Sequence, residues 1–110
     1  MQDFDLVFAD PRGVERCCDQ FEALDLTAAE RFHFMQLIVA SLDLALKKQV
    51  PGVESSAQRV EELLRQRLEE YKYIIDYWGR ADTPWQTYPM MKRLKSDPRY
   101  IYTGGAAPFE

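Results

Sequence analysis

The chain has 110 residues, 46% of them hydrophobic and 13% aromatic, and a formal net charge of -4. That length and composition suit one folded helical domain over residues 1–110, with a core large enough to need no metal or disulfide staple, and they exclude a disordered chain. The acidic balance argues against a basic, nucleic-acid-binding surface over the whole molecule.

The charge is uneven. Residues 1–25 carry seven acids against Arg12 and Arg16, a balance of -5, and residues 84–102 carry Lys92, Arg93, Lys95 and Arg99 against Asp97, a balance of +3. The two ends can attract one another, within one chain or between two, or simply stand as solvated surface. The opening MQDFDLVFAD is acidic and its apolar run is short, so it does not read as a signal peptide. Residues 32–42, the longest nearly uncharged stretch, are too few and too polar to span a bilayer. A cytoplasmic protein with no membrane partner is expected.

In chain order, residues 3–9, DFDLVFA, form a short helix or an extended arm. Asp10-Pro11 starts a helix, with aspartate as N-cap and proline in the first turn. Val14, Cys17 or Cys18, Phe21 and Leu24 recur at three and four residues, which predicts a first helix over 11–24. The vicinal Cys17-Cys18 pair lacks metal-ligand spacing and points in directions about 100° apart on a helix. One thiol is expected in the core and the other at its margin. Leu26, just before the next cap, is placed to staple onto Phe32 or the Arg31 stem.

Residues 27–49 predict the central helix. Thr27 and Glu30 form a capping box, and Ala28, Phe32, Met35, Val39, Leu42 and Leu46 make one apolar stripe. A second stripe runs through Phe34, Leu37, Ile38, Ser41, Leu44 and Ala45. A helix apolar on two sides needs cover on both, from its neighbours or from a second copy, and a homodimer is expected.

Val50-Pro51-Gly52 is a turn signal, after which Ser55 or Ser56 caps a third helix over 56–78. Its core stripe is Val60, Leu64, Leu68, Tyr71, Ile75 and Trp78, widened by Leu63 and Ile74. Its other face is charged, with the Glu61–Arg65 pair one turn apart. Gly79 stands where a C-terminal glycine stops a helix. Asp82-Thr83-Pro84 with Gln86 repeats the capping signature. Pro89 rules out a long helix here, leaving a turn over 85–88 and a short fourth helix over 89–95, ended by Ser96-Asp97-Pro98. Residues 99–110, RYIYTGGAAPFE, have no helical period and read as an extended tail hinged at Gly104-Gly105. The predicted fold class is all-α: a small three-helix bundle with a short fourth helix and an extended C-terminal tail.

Chemistry-bearing motifs are sparse. His33 is the single histidine, too few for a zinc site, and it has no nucleophile motif beside it. Glu61, Glu62, Glu69 and Glu70 lack the Glu-x-x-His pattern of a di-iron bundle. Gly104-Gly105 lacks the lysine of a phosphate loop. No cofactor, no metal and no enzymatic activity are expected.

The basic run among aromatics near the C-terminus resembles a single-stranded nucleic-acid platform in composition, but four cations in an acidic chain argue against nucleic acid. Tryptophan, tyrosine, methionine and arginine are the residues enriched at protein interfaces. Trp85, Tyr88, Met90 and Met91, with Arg93, Arg99, Tyr100 and Tyr102, are therefore the candidate partner-binding residues. The alternative for the same rings is to fold back over the core. The function expected is a non-enzymatic protein–protein interaction module: a small adaptor, inhibitor or accessory subunit. A phage- or mobile-element-encoded inhibitor of a host protein is one form of it. The rival is a small enzyme with a bundle pocket around His33, which a deep pocket pairing His33 with a buried carboxylate would mark.

Overall fold

A computed structural model describes residues 11–80 and 85–103, with backbone alone at 11, 12 and 101–103. The expected arm at 3–9, the Asp82-Thr83-Pro84 cap and the tail at 104–110 lie outside the described residues. The all-α expectation is borne out: among the described residues there are six helices and no strand. They are α1 (Pro11–Ala23), α2 (Ala28–Lys47), α3 (Val53–Gln66), α4 (Lys72–Trp78), α5 (Tyr88–Lys95) and α6 (Pro98–Thr103). Two compact units divide the chain, residues 1–60 and 61–110, and the division falls inside α3.

In the first unit α1 buries Val14, Cys17, Cys18 and Phe21. The expectation of one core and one marginal cysteine is corrected: Cys17 is 1% exposed and Cys18 0%. At about 100° per residue the two thiols flank the line through Val14 and Phe21 on either side, so both fit one apolar arc about 100° wide. The Phe21 ring meets Phe34 of α2 edge-on, 5.7 Å between centroids.

The capping box of α2 is formed as the sequence predicts. The Glu30 amide donates to Thr27 Oγ1 at 3.2 Å and the Thr27 amide donates to Glu30 Oε1 at 2.9 Å. At the expected staple position Leu26 is half-buried, and the Arg31 guanidinium reaches back and donates to the Leu26 carbonyl at 2.8 Å. Phe32, Met35, Val39 and Leu42 are buried as the first stripe requires. Of the second stripe, Ile38, Ser41 and Ala45 are buried, while Phe34, Leu37 and Leu44 are half-buried. The helix stops in a Schellman motif with Gln49 in the left-handed region at φ 54°. The Val50 amide donates to the Ala45 carbonyl and the Gln49 amide to the Leu46 carbonyl. α3 then begins at Val53, earlier than the predicted serine cap. Ser56 is inside the helix, buried, and donates to Glu15 Oε2 at 3.2 Å.

In the second unit the predicted helix over 56–78 is corrected to two, α3 and α4, separated by turns over 67–71. No glycine or proline marks the break. The ladder tightens instead: the Arg67 amide bonds the Leu64 carbonyl three residues back, after which Tyr71 returns to Arg67. Leu64, Leu68, Tyr71 and Ile75 remain buried across it. The short fourth helix is found as α5. The extended reading of 99–103 is corrected, because Asp97-Pro98 starts α6 rather than ending the fold. The Arg99 amide donates to Asp97 Oδ1 at 2.8 Å, and the Tyr100 amide donates to the Asp97 carbonyl at 2.9 Å.

Candidate functional site

Of the eight predicted partner-binding residues, three are buried. Met90 and Met91 of α5 and Tyr100 of α6 are buried, at 5%, 0% and 8% exposure. Tyr100 donates its hydroxyl hydrogen to Asp76 of α4, and the Lys72 ammonium stands 5.2 Å over its ring. Burial, with Asp76 beside it, pushes the Tyr100 hydroxyl above its ordinary pKa, so it stays neutral. Tyr100 thereby ties α6 to α4. Tyr88 is half-buried, and the side chain of Tyr102 lies outside the described residues.

Arg93 and Arg99, expected to offer forked donors to a partner, already fork onto this chain's own acids. Arg93 donates to Glu61 Oε1 at 2.7 Å and Oε2 at 3.2 Å. Arg99 donates to Asp97 Oδ1 and Oδ2. Arg65 lies between the two acids, 2.8 Å from Glu61 and 3.0 Å from Asp97. The Arg93 hydrogen bond holds the Glu61 carboxyl below its ordinary value against the opposing effect of burial. Arg99 does the same for Asp97. The sequence shows four cations at this end; the fold answers at least two of them with carboxylates.

Trp85 belongs to a ring cluster. Its ring lies 4.5 Å from Trp78 and 5.8 Å from Tyr77, and Tyr77 meets Trp78 edge-on at 5.4 Å. Tyr77 is 51% exposed and Tyr73, one helical turn earlier, 37%. Neither is among the residues that composition singles out. Their spacing carries the signal, since Tyr73 and Tyr77 stand four apart and off the buried Tyr71, Ile74 and Ile75 positions of the same segment.

In the first unit an open groove of about 530 Å³ runs between α1 and α2. Cys17, Leu26, Ala29, Phe34 and Leu37 give its apolar lining, and Gln20, Glu30 and His33 its polar lining. This is the pocket at His33 on which the enzyme reading turns. His33 and Glu30 are both exposed, and the Glu30 carboxylate caps α2. Among the described residues, the lining of the groove has no buried carboxylate to hold an imidazole for acid–base work. Burial pushes the Cys17 thiol up and the Cys18 thiol up to about 12, away from the thiolate a nucleophile or metal ligand needs. Nearby, Arg59 of α3 binds Glu15, Asp19 and Glu22 at 2.7–2.8 Å, so the acids of α1 find a cation within their own unit.

Among the described residues no three His, Cys, Asp or Glu side chains gather as metal ligands, and no described helix is long and apolar enough to cross a membrane. No family model matches the chain, and no curated protein or solved structure is similar to it.

Proposed function

We propose that this protein is a non-enzymatic protein-binding module, an adaptor, inhibitor or accessory subunit, whose partner docks on the second unit. The observation that carries this reading is the ring cluster of Tyr77, Trp78 and Trp85, with Tyr77 half open to solvent and Tyr73 one turn away. Rigid aromatic side chains that present area at low entropic cost are the usual centre of a protein interface. Tyr100, buried on α6, holds the same helix α4 through Asp76, next to Tyr77 in sequence. An inhibitor encoded by a phage or mobile element is the same activity seen from its target, and a cytoplasmic setting suits it.

The test is affinity capture from the native cell with the full chain and with Tyr77→Ala. Tyr77 also packs on Trp78 and Trp85, so its truncation should lower Tm by several degrees, and capture is compared at a temperature where both proteins are folded. A hot-spot ring is worth about 2 kcal/mol, so capture of the specific partner should fall about thirtyfold. Equal capture by the two folded proteins defeats this placement of the site.

A further inference from the structure

We propose that α2 is also a self-association surface, and that two copies of this chain pair through it in antiparallel orientation about a two-fold axis between Leu37 and Ala40. This interface belongs to the first unit and does not depend on the ring cluster of the second.

Glu30, His33, Leu37, Ala40, Leu44 and Lys47 succeed one another at three, four, three, four and three residues. That is the seam period of paired helices. The buried stripe of α2, through Phe32, Met35, Val39 and Leu42, lies on another face. Along the seam the middle positions Leu37, Ala40 and Leu44 are only half-buried, and the end positions Glu30, His33 and Lys47 are exposed. The apolar middle is thus left incompletely covered, with an acid at one end and a lysine at the other.

Charge then selects both the partner and its direction. In an antiparallel pair Glu30 stands opposite Lys47 of the second copy, His33 opposite Leu44, and Leu37 opposite Ala40, each pair equidistant from the axis. Two-fold symmetry makes every pairing twice, so one patch supplies both acids and both lysines. A parallel pair sets Glu30 against Glu30 and Lys47 against Lys47, which like charges disfavour. Leucine opposite alanine lets the backbones approach at the axis. Leucine opposite His33 places Leu44 of the second copy at the mouth of the α1–α2 groove, whose lining includes His33, Phe34 and Leu37. The groove is the hole and Leu44 the knob.

The experiment is sedimentation equilibrium on the full chain, a monomer of 12.9 kDa. The expected result is twice that mass in the micromolar range at low salt. Lys47→Glu, on an exposed side chain, should weaken the dimer about tenfold, and adding Glu30→Lys should recover most of the loss. Because Glu30 also caps α2, a covalent readout accompanies the swap. His33→Cys with Leu44→Cys should oxidise to a disulfide-linked dimer, while His33→Cys alone should not, its two copies lying about 16 Å apart along the helix axis, beyond disulfide reach. A monomer at every concentration, a dimer indifferent to Lys47→Glu, or cross-linking by His33→Cys alone each overturns the proposal.

Discussion

Tyr100 separates a partner-binding tail from one that closes the core, and two substitutions there give different losses. Tyr100→Phe keeps the ring, its burial and the Lys72 ammonium 5.2 Å above it, and removes only the hydroxyl that donates to Asp76. A hydrogen bond to a charged group contributes about 1.5–3 kcal/mol. Asp76 keeps Lys72 at 3.1 Å and is 45% exposed on its side chain, so water takes up part of the loss. The net effect should be about 1 kcal/mol, a fall in Tm of about 4–8 °C for a chain of this size. Tyr100→Ala removes the buried ring as well, a truncation that costs about 3–5 kcal/mol in a packed core and should lower Tm several times further. Thermal melting followed by helical circular dichroism measures both, and partner affinity is read on the folded fraction. Graded destabilisation with unchanged affinity is the outcome the burial of Tyr100 requires. A Tyr100→Ala protein that melts with the native chain but loses its partner would refute this reasoning and return Tyr100 to the binding surface.

Three further outcomes concern glycine packing and pH. A Cβ at Gly79 would lie 2.7 Å from the Ile75 carbonyl oxygen and 2.8 Å from Met91 Cβ, so Gly79→Ala should cost about 1–3 kcal/mol by overpacking, and an unchanged or raised Tm would count against it. Gly52→Ala should cost about 1 kcal/mol for a different reason, its φ of 84° with open space around it, and the same melting assay reads it. Glu61 is held below its ordinary pKa of 4.5, so its pairing with Arg93 stabilises the fold above that value and is lost as pH falls below it. Urea unfolding at stepped pH should show stability declining below about pH 4.5, and Arg93→Ala should flatten that decline; parallel curves would show that the pair contributes nothing.

Much of the fold is legible in the residues because it rests on local rules. Thr27 with Glu30 and the Phe32, Met35, Val39, Leu42 stripe place α2 without reference to the rest of the chain. Expectation and structure part where one signature carries two meanings. Asp10-Pro11 reads as a helix start, yet Asp97-Pro98, the same dipeptide, reads as a stop when it comes after a helix; the structure uses it as both, with Asp97 capping α6 directly after α5. Gly79 reads as a left-handed terminator, but its φ is -103°, and the place needs glycine because Met91 and Ile75 leave no room for a side chain. The residue that does take up the left-handed turn at a helix end is Gln49, which no glycine preference marks. The break over 67–71 carries no signal of its own, since Leu64, Leu68, Tyr71 and Ile75 keep helical spacing through it.

The candidate site is less legible because composition counts side chains without saying which way they face. Four aromatics and four cations between residues 85 and 102 suggest one adhesive segment. Folding sends Tyr100 and both methionines inward and sets Arg93 and Arg99 on Glu61 and Asp97. A cation matched by an acid from another helix is invisible in a local charge sum: Glu61 is thirty-two residues from Arg93 in sequence and 2.7 Å from it in space. Periodicity is the better guide to exposure. Tyr73 and Tyr77 fall between the buried positions of α4, and an aromatic ring off the core stripe either finds another ring or remains open to a partner. Tyr77 does both, with Trp78 and Trp85 on one side and solvent on the other, and it is this combination that leads us to propose α4 rather than the tail as the docking surface.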